Sequence, residues 1–238
     1  MPYKIDWKTK LLEIEMGLDP KDIAETLKIL GDEFMVKSRG NRFAPGLYHI
    51  CYPSVSICNY GGIDFPCLIH NGNIDRDTIV IVGAAPQRNK YTVNKMKPCS
   101  LGSPYAIVFK EYPDQCWIYK QVFKILLGRG YNLYLTDVDK LWTSQKLVDK
   151  KPCHYDEMLS VEIGQIRHVK IVTFGRYARD VARNLLKVPK LQNNISHLYH
   201  PSQRNIERWL NKGGAKDIED IPHVIVEKIM KNDDMFLP

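Results

Sequence analysis

From residue 78 onward, short apolar runs of strand length alternate with segments of helical periodicity. The hydrophobic spacing predicts strands at 79–82, 131–137, 169–174 and 197–200, and helices near 114–127, near 156–165, at 176–186 and at 203–212. Strands that alternate with helices in this way form parallel sheets with helices on both faces. The sequence therefore predicts an α/β fold with three α/β/α layers around a mainly parallel, four-stranded central sheet.

Each predicted strand ends at or next to a residue suited to a turn or to a polar contact. In chain order these residues are Gly83, Asp137, Gly175 and His200. Parallel strands end at the same edge of a sheet, and α/β proteins bind their ligands beyond that edge. We therefore expect the four residues to lie around one ligand site.

The chain has 238 residues, of which 44% are hydrophobic, and this suffices for one large core. We expect one globular unit in which residues 1–77 form an N-terminal extension of helix and loop, packed on an α/β core of residues 78–238. Within the extension, Asp19 and Pro20 indicate the start of a helix.

No apolar run approaches the ~20 residues that span a bilayer, and the first residues lack the apolar core of a signal peptide. These features predict a cytoplasmic or nucleoid-associated protein without a membrane partner, and we expect a monomer. Its six cysteines are then expected as reduced thiols. The formal charge of +7 and the isoelectric point near 9.0 favour a polyanionic partner such as DNA, although charge alone does not establish one.

Two of the strand ends carry recognisable motifs. Residues 79–87 have the sequence IVIVGAAPQ, and residues 197–205 have the sequence HLYHPSQRN. Together they resemble the two active-site motifs of the uracil-DNA glycosylase superfamily, its Gly-x-x-Pro loop and its His-Pro-Ser loop, and the Arg204-Asn205 continuation is most similar to the single-strand-selective branch. The resemblance covers roughly residues 78–212. It implies an enzyme that flips a base out of DNA and hydrolyses its N-glycosidic bond.

The resemblance implies that the first loop binds substrate through Gly83, Ala84, Ala85, Pro86 and Gln87. Gly83 permits a tight turn and Pro86 fixes a backbone angle, so the loop can hold amide donors rigidly against a base. Glycosylases with this motif often carry an Asp, Asn or Glu between the Gly and the Pro to position the hydrolytic water, whereas both positions are alanine here. A catalytically inactive, DNA-binding member of the same fold is therefore an alternative.

Two further residues are expected to contact the base. Residues 102–105 resemble the superfamily's Gly-x-Pro-Phe segment, which implies that Tyr105 stacks on the flipped base, with packing at the core as the alternative. Asp137 stands where the superfamily usually has the Asn that recognises uracil. An ionised carboxylate only accepts hydrogen bonds, so it suits the N4 amino group of cytosine better than O4 of uracil. Cytosine N3 is also an acceptor, so full pairing requires a proton on Asp137 or on N3, and capping of a turn or helix is the alternative role.

The expected catalytic residues are Asp137 and, with the leading role, His200. The resemblance implies that its imidazole contacts the base carbonyl O2 and stabilises the anionic leaving group, although a histidine before proline is ordinarily structural. Ser202 and Gln203 are expected to contact DNA, and Arg204 to act as the wedge that fills the space left by the flipped nucleotide.

No cofactor or metal is expected. Cys99 and Cys116 have a spacing reminiscent of iron–sulfur ligands, but they precede the 131–137 strand, whereas the superfamily's later pair begins at that strand's end. The leading hypothesis is a glycosylase for cytosine or a modified cytosine, with a uracil-DNA glycosylase as the alternative substrate assignment. A Rossmann-like nucleotide-binding protein is disfavoured because no Gly-x-Gly-x-x-Gly pattern is present.

Overall fold

The computed structural model describes residues 4–7, 60–64, 66–70, 73, 75–84, 100–102, 105, 117–138, 141–143, 159, 163, 170–185 and 194–236. Its strands are β1 Lys4–Trp7, β2 Tyr60–Asp64, β3 Cys67–His70, β4 Thr78–Gly83, β5 Ser100–Gly102, β6 Asn132–Asp137, β7 Leu141–Thr143, β8 Lys170–Phe174 and β9 Ile195–Leu198. Its helices are α1 Trp117–Gly128, α2 Arg176–Leu185, α3 Ile206–Arg208 and α4 Ile221–Lys231. A 3-10 turn at Gln203–Asn205 precedes α3, and a π-helical turn at Trp209–Gly213 follows it. Within these ranges no helix is both long and apolar enough to cross a bilayer.

The main sheet is mixed and mostly parallel, with the strand order β1-β3-β6-β4-β8-β9. Strands β6, β4, β8 and β9 run parallel to one another, and they are the four strands predicted from the sequence. The predicted α/β class is therefore confirmed, but the predicted count of four strands is wrong. Strands β1 and β3 extend the sheet through antiparallel pairing, and β5, β2 and β7 form a second, small sheet.

The first 77 residues contribute to both sheets. Strands β1 and β3 continue the main sheet beyond β6, and β2 lies in the small sheet. The helix predicted to start at Asp19 lies outside the described residues. The proposed division after residue 77 stays a prediction, although backbone hydrogen bonding joins strands from both sides of it.

Most predicted boundaries agree with the structure to within one to three residues, but β9 begins and ends two residues earlier than predicted. Residues 195–198 pair in register with residues 171–174 of β8 and are buried, so the ladder ends at Leu198. Tyr199 and His200 then leave the sheet. Of the helix predicted near 156–165, Leu159 and Ile163 are described, and both are helical and buried.

Alternate side chains of the central strands pack into two separate clusters. Ile79 and Ile81 of β4 belong to a cluster that also holds the buried faces of α1 and α4. Val80 and Val82 belong to the second cluster, which holds the small residues of α2. Because successive strand residues point to opposite faces, α1 and α4 pack on one side of β4 and α2 packs on the other. Full burial of each such side chain stabilises the fold by about 1.5–3 kcal/mol.

The strand order changes direction next to β4. From β4 the chain crosses to β6 on one side and then returns to β8 on the other side. In sheets of this kind, the crevice beyond the carboxyl ends of the two strands at the reversal is the usual ligand site. Here that crevice lies beyond the ends of β4 and β8.

Candidate functional site

The four predicted strand-end residues lie along one edge of the sheet. Gly83 and Asp137 are directly paired at the ends of β4 and β6. Gly175 follows β8, and its N–H donates to the carbonyl oxygen of Leu198, the last residue of β9, at 2.9 Å. His200 lies two residues beyond Leu198. The predicted convergence at the carboxyl edge is therefore observed, while the chemical roles of these residues stay predictions.

Gly83 is required by the close approach of two side chains. A Cβ atom at this position would overlap the Asp137 carboxylate and would lie 3.2 Å from the Tyr105 hydroxyl oxygen. Only glycine leaves room for both groups at the end of β4. Ala84 follows and is half-buried, whereas the predicted substrate-binding residues 85–87 lie outside the described residues.

The Asp137 carboxyl group is in the protein interior, since the residue is only 4% exposed. The next element of the chain is the strand β7, so Asp137 does not cap a following helix. Residues 139–140 lie outside the described part of the chain, and a turn-capping role there stays open.

Tyr105 lies against the same strand ends. Its ring is packed against three aromatic rings, with centroid distances of 4.7 Å to Tyr119, 5.6 Å to Phe123 and 6.2 Å to Phe174. Its hydroxyl is buried and has no hydrogen-bond partner in the described structure. Burial raises the pKa of this hydroxyl well above its usual value, and the negative charge of Asp137 raises it further. The hydroxyl therefore stays protonated at neutral pH.

Tyr119 of α1 is a site residue that the sequence did not indicate. Its hydroxyl oxygen lies 2.8 Å from Nδ1 and 2.5 Å from Nε2 of His200, and the two rings meet edge to face. Tyr119 shares the buried face of α1 with Phe123, four residues on, as expected for neighbours on a helix. An aromatic residue on an apolar helix face indicates core packing, so the sequence carries no signal for this contact.

His200 is an uncharged histidine at neutral pH. Burial lowers its pKa to about 4 from the ordinary value of 6.5. A neutral imidazole has one N–H donor and one acceptor nitrogen. Both ring nitrogens lie within hydrogen-bond distance of the Tyr119 hydroxyl, so the uncharged His200 can donate to a ligand only by giving up one of these contacts.

The loop that follows His200 is fixed by its own hydrogen bonds. The His200 carbonyl oxygen accepts from the Ser202 N–H at 2.8 Å and from Nδ2 of Asn205 at 2.9 Å. Asn205 Nδ2 also lies 3.4 Å from Oγ of Ser202. The sequence indicated Asn205 only as part of a motif and a helix start, whereas the structure shows that its side chain closes the loop.

The structure shows where the residues predicted to contact DNA lie in this loop, but it does not test those contacts. Ser202 is half-buried and Arg204 is exposed. The side chain of Gln203 lies outside the described structure, although its backbone forms the 3-10 turn. Their proposed contacts with DNA stay predictions.

Metal binding finds no support among the side chains that are described. They include no group of three or more His, Cys, Asp or Glu residues that could hold a metal ion. Cys67 is buried in β3 as a thiol. Cys99 and Cys116, the pair with iron–sulfur-like spacing, lie outside the described residues.

The strand ends thus combine an acidic acceptor, a protonated hydroxyl and a neutral imidazole in Asp137, Tyr105 and His200. A set of fixed donors and acceptors beside aromatic rings suits a planar polar ligand. Comparisons of this chain with protein-family models, with curated proteins and with solved structures each give no match.

Proposed function

We propose that the chain is a divergent member of the uracil-DNA glycosylase superfamily. In this proposal it flips cytosine or a modified cytosine out of DNA and hydrolyses the N-glycosidic bond, leaving an abasic site. The observation that carries the proposal is the meeting of Gly83, Asp137 and His200 at one carboxyl edge, beside the reversal of strand order at β4. Helices on both faces of the sheet are compatible with the three-layer arrangement that the superfamily implies.

His200 supports catalysis through the leaving group. When the bond between C1′ of the deoxyribose and N1 of the base breaks, its electron pair moves onto the base and spreads to the carbonyl oxygen O2. An N–H of the neutral His200 imidazole stabilises that developing anion, and a fixed donor in a buried site is most effective where charge appears in the transition state. Water then adds to C1′, and the proton that it loses passes through solvent to the departing base anion, which completes the hydrolysis.

Asp137 supports the choice of base. A buried carboxylate at the end of β6 accepts a hydrogen bond from the N4 amino group of cytosine, whereas O4 of uracil would oppose it with a second acceptor. Good hydrogen-bonding pairs at a base edge discriminate by about 1–3 kcal/mol. For this reason the proposed substrate is cytosine or a modified cytosine, and uracil is the alternative.

Exposed cations near the same edge support DNA as the partner. Arg176 lies two residues after the end of β8, and Arg204 and Arg208 follow β9. Arginines at the rim of the base site can contact phosphates on either side of a flipped nucleotide. The net charge of +7 favours the same partner.

A second candidate is a member of the same fold that binds a flipped base without releasing it. Ala84 follows the end of β4 and has no group that can position or deprotonate a water molecule. This observation favours a binding protein, because a carboxylate or amide usually fills that role in enzymes with this motif.

One assay tests the proposed reaction. The protein is incubated with single-stranded and duplex oligonucleotides that contain one uracil, cytosine, 5-substituted cytosine, thymine or hypoxanthine, and abasic sites are then cleaved with alkali. We expect cleavage at cytosine or its 5-substituted derivative. The His200→Ala variant should release base at least ~100-fold more slowly while its DNA affinity changes little, because the lost contact forms mainly in the transition state.

The other outcomes separate the candidates. Efficient release of uracil with no release of any cytosine derivative would contradict the role of Asp137 and establish the uracil alternative. Tight binding without cleavage of any oligonucleotide would establish the non-catalytic candidate. Equal rates for wild type and a folded His200→Ala variant would remove His200 from the mechanism.

A further inference from the structure

The Tyr105 hydroxyl is a polar group that packing within the protein does not explain. It is buried, and it has no hydrogen-bond partner within the described residues. Buried polar groups almost always have a partner, so an orphaned one needs a reason. The Tyr105 backbone also has φ +60°, a left-handed conformation that is uncommon for residues other than glycine. Such features persist mainly at ligand sites, where the ligand can supply the missing contact.

The position of the hydroxyl links it to Asp137. The Tyr105 hydroxyl and the Asp137 carboxylate both crowd the space where a Gly83 side chain would otherwise stand. Phe123 and Phe174 meet the Tyr105 ring edge to face, each with an interplanar angle of 84°. These rings fix the direction in which the hydroxyl points.

We propose that Tyr105 and Asp137 act as a donor–acceptor pair that recognises the edge of cytosine. The Tyr105 hydroxyl donates to N3, and the Asp137 carboxylate accepts from the N4 amino group. The inference rests on the proposed function, because it assigns a second recognition group to the same base site.

This pair resolves a difficulty of recognition by Asp137 alone. Cytosine presents a donor at N4 and acceptors at N3 and O2. A carboxylate can satisfy only the donor, so recognition by Asp137 alone requires a proton on Asp137 or on N3. The raised pKa of Tyr105 keeps its hydroxyl protonated, so the hydroxyl can donate to N3 of cytosine. With an N–H of His200 on O2, every polar atom of the cytosine edge has a partner.

The proposal gives Tyr105 a role that differs from stacking. Stacking depends on the ring, which phenylalanine also has, whereas recognition depends on the hydroxyl. Tyr105→Phe removes the hydroxyl and keeps the ring, so this single variant separates the two roles.

The test measures single-turnover base release from oligonucleotides with cytosine or uracil, for wild type, Tyr105→Phe, Asp137→Asn and the double variant. We expect Tyr105→Phe to lower the rate of cytosine release about 10-fold, the size of one lost hydrogen bond to a fixed group. In the Asp137→Asn background the same change should lower this rate less than ~2-fold, since the two groups act on one base. Tyr131→Phe, at the opposite end of β6, is the matched control and should leave the rate unchanged.

A second readout does not depend on activity. Removal of a buried hydroxyl without a partner relieves a desolvation penalty, so Tyr105→Phe should raise the Tm of the free protein by about 2–4 °C. A lower Tm would show that the hydroxyl is satisfied within the protein and would overturn the proposal. An unchanged rate of cytosine release in Tyr105→Phe would overturn it as well, because stacking depends only on the ring, which this variant keeps.

The proposal stays testable if wild type releases no base. In that case the proposed catalytic function fails, and binding is measured with oligonucleotides that carry a single 2′-fluorinated deoxycytidine or deoxyuridine, which resist hydrolysis. An affinity for the cytidine probe that falls about 10-fold from wild type to Tyr105→Phe supports the recognition pair. Equal affinities of wild type for the two probes would overturn it.

Discussion

Gly83 allows the Asp137 carboxylate and the Tyr105 hydroxyl to approach the backbone of β4 together. Gly83→Ala would force the Asp137 side chain or the strand to move. We expect this variant to lose about 1–3 kcal/mol of unfolding free energy, the usual cost of overpacking. Base release should fall at least ~10-fold, because small displacements of recognition groups carry large rate penalties.

Gly128→Ala is the matched control for Gly83. Gly128 ends α1, and a Cβ there would meet no atom within 4 Å. Urea denaturation should show that Gly128→Ala is neutral or slightly stabilising, by up to about 1 kcal/mol. If Gly83→Ala proved equally neutral in both stability and base release, the crowding at the end of β4 would not be a constraint on the site.

The lowered pKa of His200 makes the stability of the folded protein depend on pH in the acidic range. Its pKa is about 4 in the folded chain, against an ordinary value of 6.5, because burial disfavours the charged form. As the pH falls from the higher value to the lower, the unfolded chain binds a proton that the folded chain does not, and stability is lost. The unfolding free energy lost in this way is at most about 3 kcal/mol, and none is lost above the ordinary pKa of 6.5.

The variant His200→Gln isolates this contribution. Between about pH 7 and about pH 4.5, its unfolding free energy should fall less steeply than that of wild type. Chemical denaturation at a series of pH values measures both slopes. Identical slopes would mean that His200 titrates normally in the folded protein, and its assignment as a neutral donor would then be wrong.

The loop after β9 is an element whose shape comes from internal hydrogen bonds. The bonds from Ser202 and Asn205 to the His200 carbonyl oxygen hold a tight turn, and the 3-10 turn leaves Arg204 exposed. An exposed side chain on a rigid turn beside the base site is suited to enter a base stack. This geometry supports the wedge hypothesis without depending on which base is flipped.

Arg204→Ala tests the wedge. A wedge matters chiefly when a vacated stack must be filled, so we expect base release from duplex DNA to fall about 10-fold and release from single strands to change less than ~2-fold. Arg129→Ala is the control, because Arg129 is also exposed but pairs with Glu227 at 2.9 Å beyond the end of α1. Equal losses on duplex and single-stranded substrates would point to a simple phosphate contact instead.

The sequence predicted the parallel strands and their helices because periodicity is a local property. Residues 79–82 and 133–135 are buried on both faces of the sheet and form short hydrophobic runs. The antiparallel strands β1 and β3 were missed, because strands of four residues that are held by pairing with β6 carry little local signal. The helix α4 was missed although Ile221, Ile225 and Ile229 show helical spacing.

At the site, the strand-end residues could be predicted, but the aromatic contacts could not. Gly83, Asp137 and His200 follow strands, and the topology of a parallel sheet brings such positions together. The contact between Tyr119 and His200 joins residues 81 positions apart. Nothing local in either segment indicates that contact, since it depends on how α1 lies across the sheet.

At the scale of the whole molecule, the carboxyl and amino edges of the main sheet have different neighbouring residues. The carboxyl edge is followed by the exposed cations Arg176, Arg204 and Arg208. At the opposite edge, Lys170 donates to the Met230 carbonyl oxygen near the end of α4, so that end of the helix lies at the amino end of β8. In the proposed function, a duplex would contact these arginines at the carboxyl edge.

This polarity predicts how DNA binding depends on salt. If about three to six phosphates are contacted, the logarithm of the binding constant for duplex DNA should fall with the logarithm of salt concentration with a slope of about −3 to −5. Arg176→Ala and Arg208→Ala should each reduce the slope by about 1, because each removes roughly one phosphate contact. Lys231→Ala, at the end of α4, removes the same charge from the opposite edge and should leave the slope unchanged. Fluorescence anisotropy across a salt series measures all four proteins, and equal slopes in the four would contradict a DNA surface at the carboxyl edge.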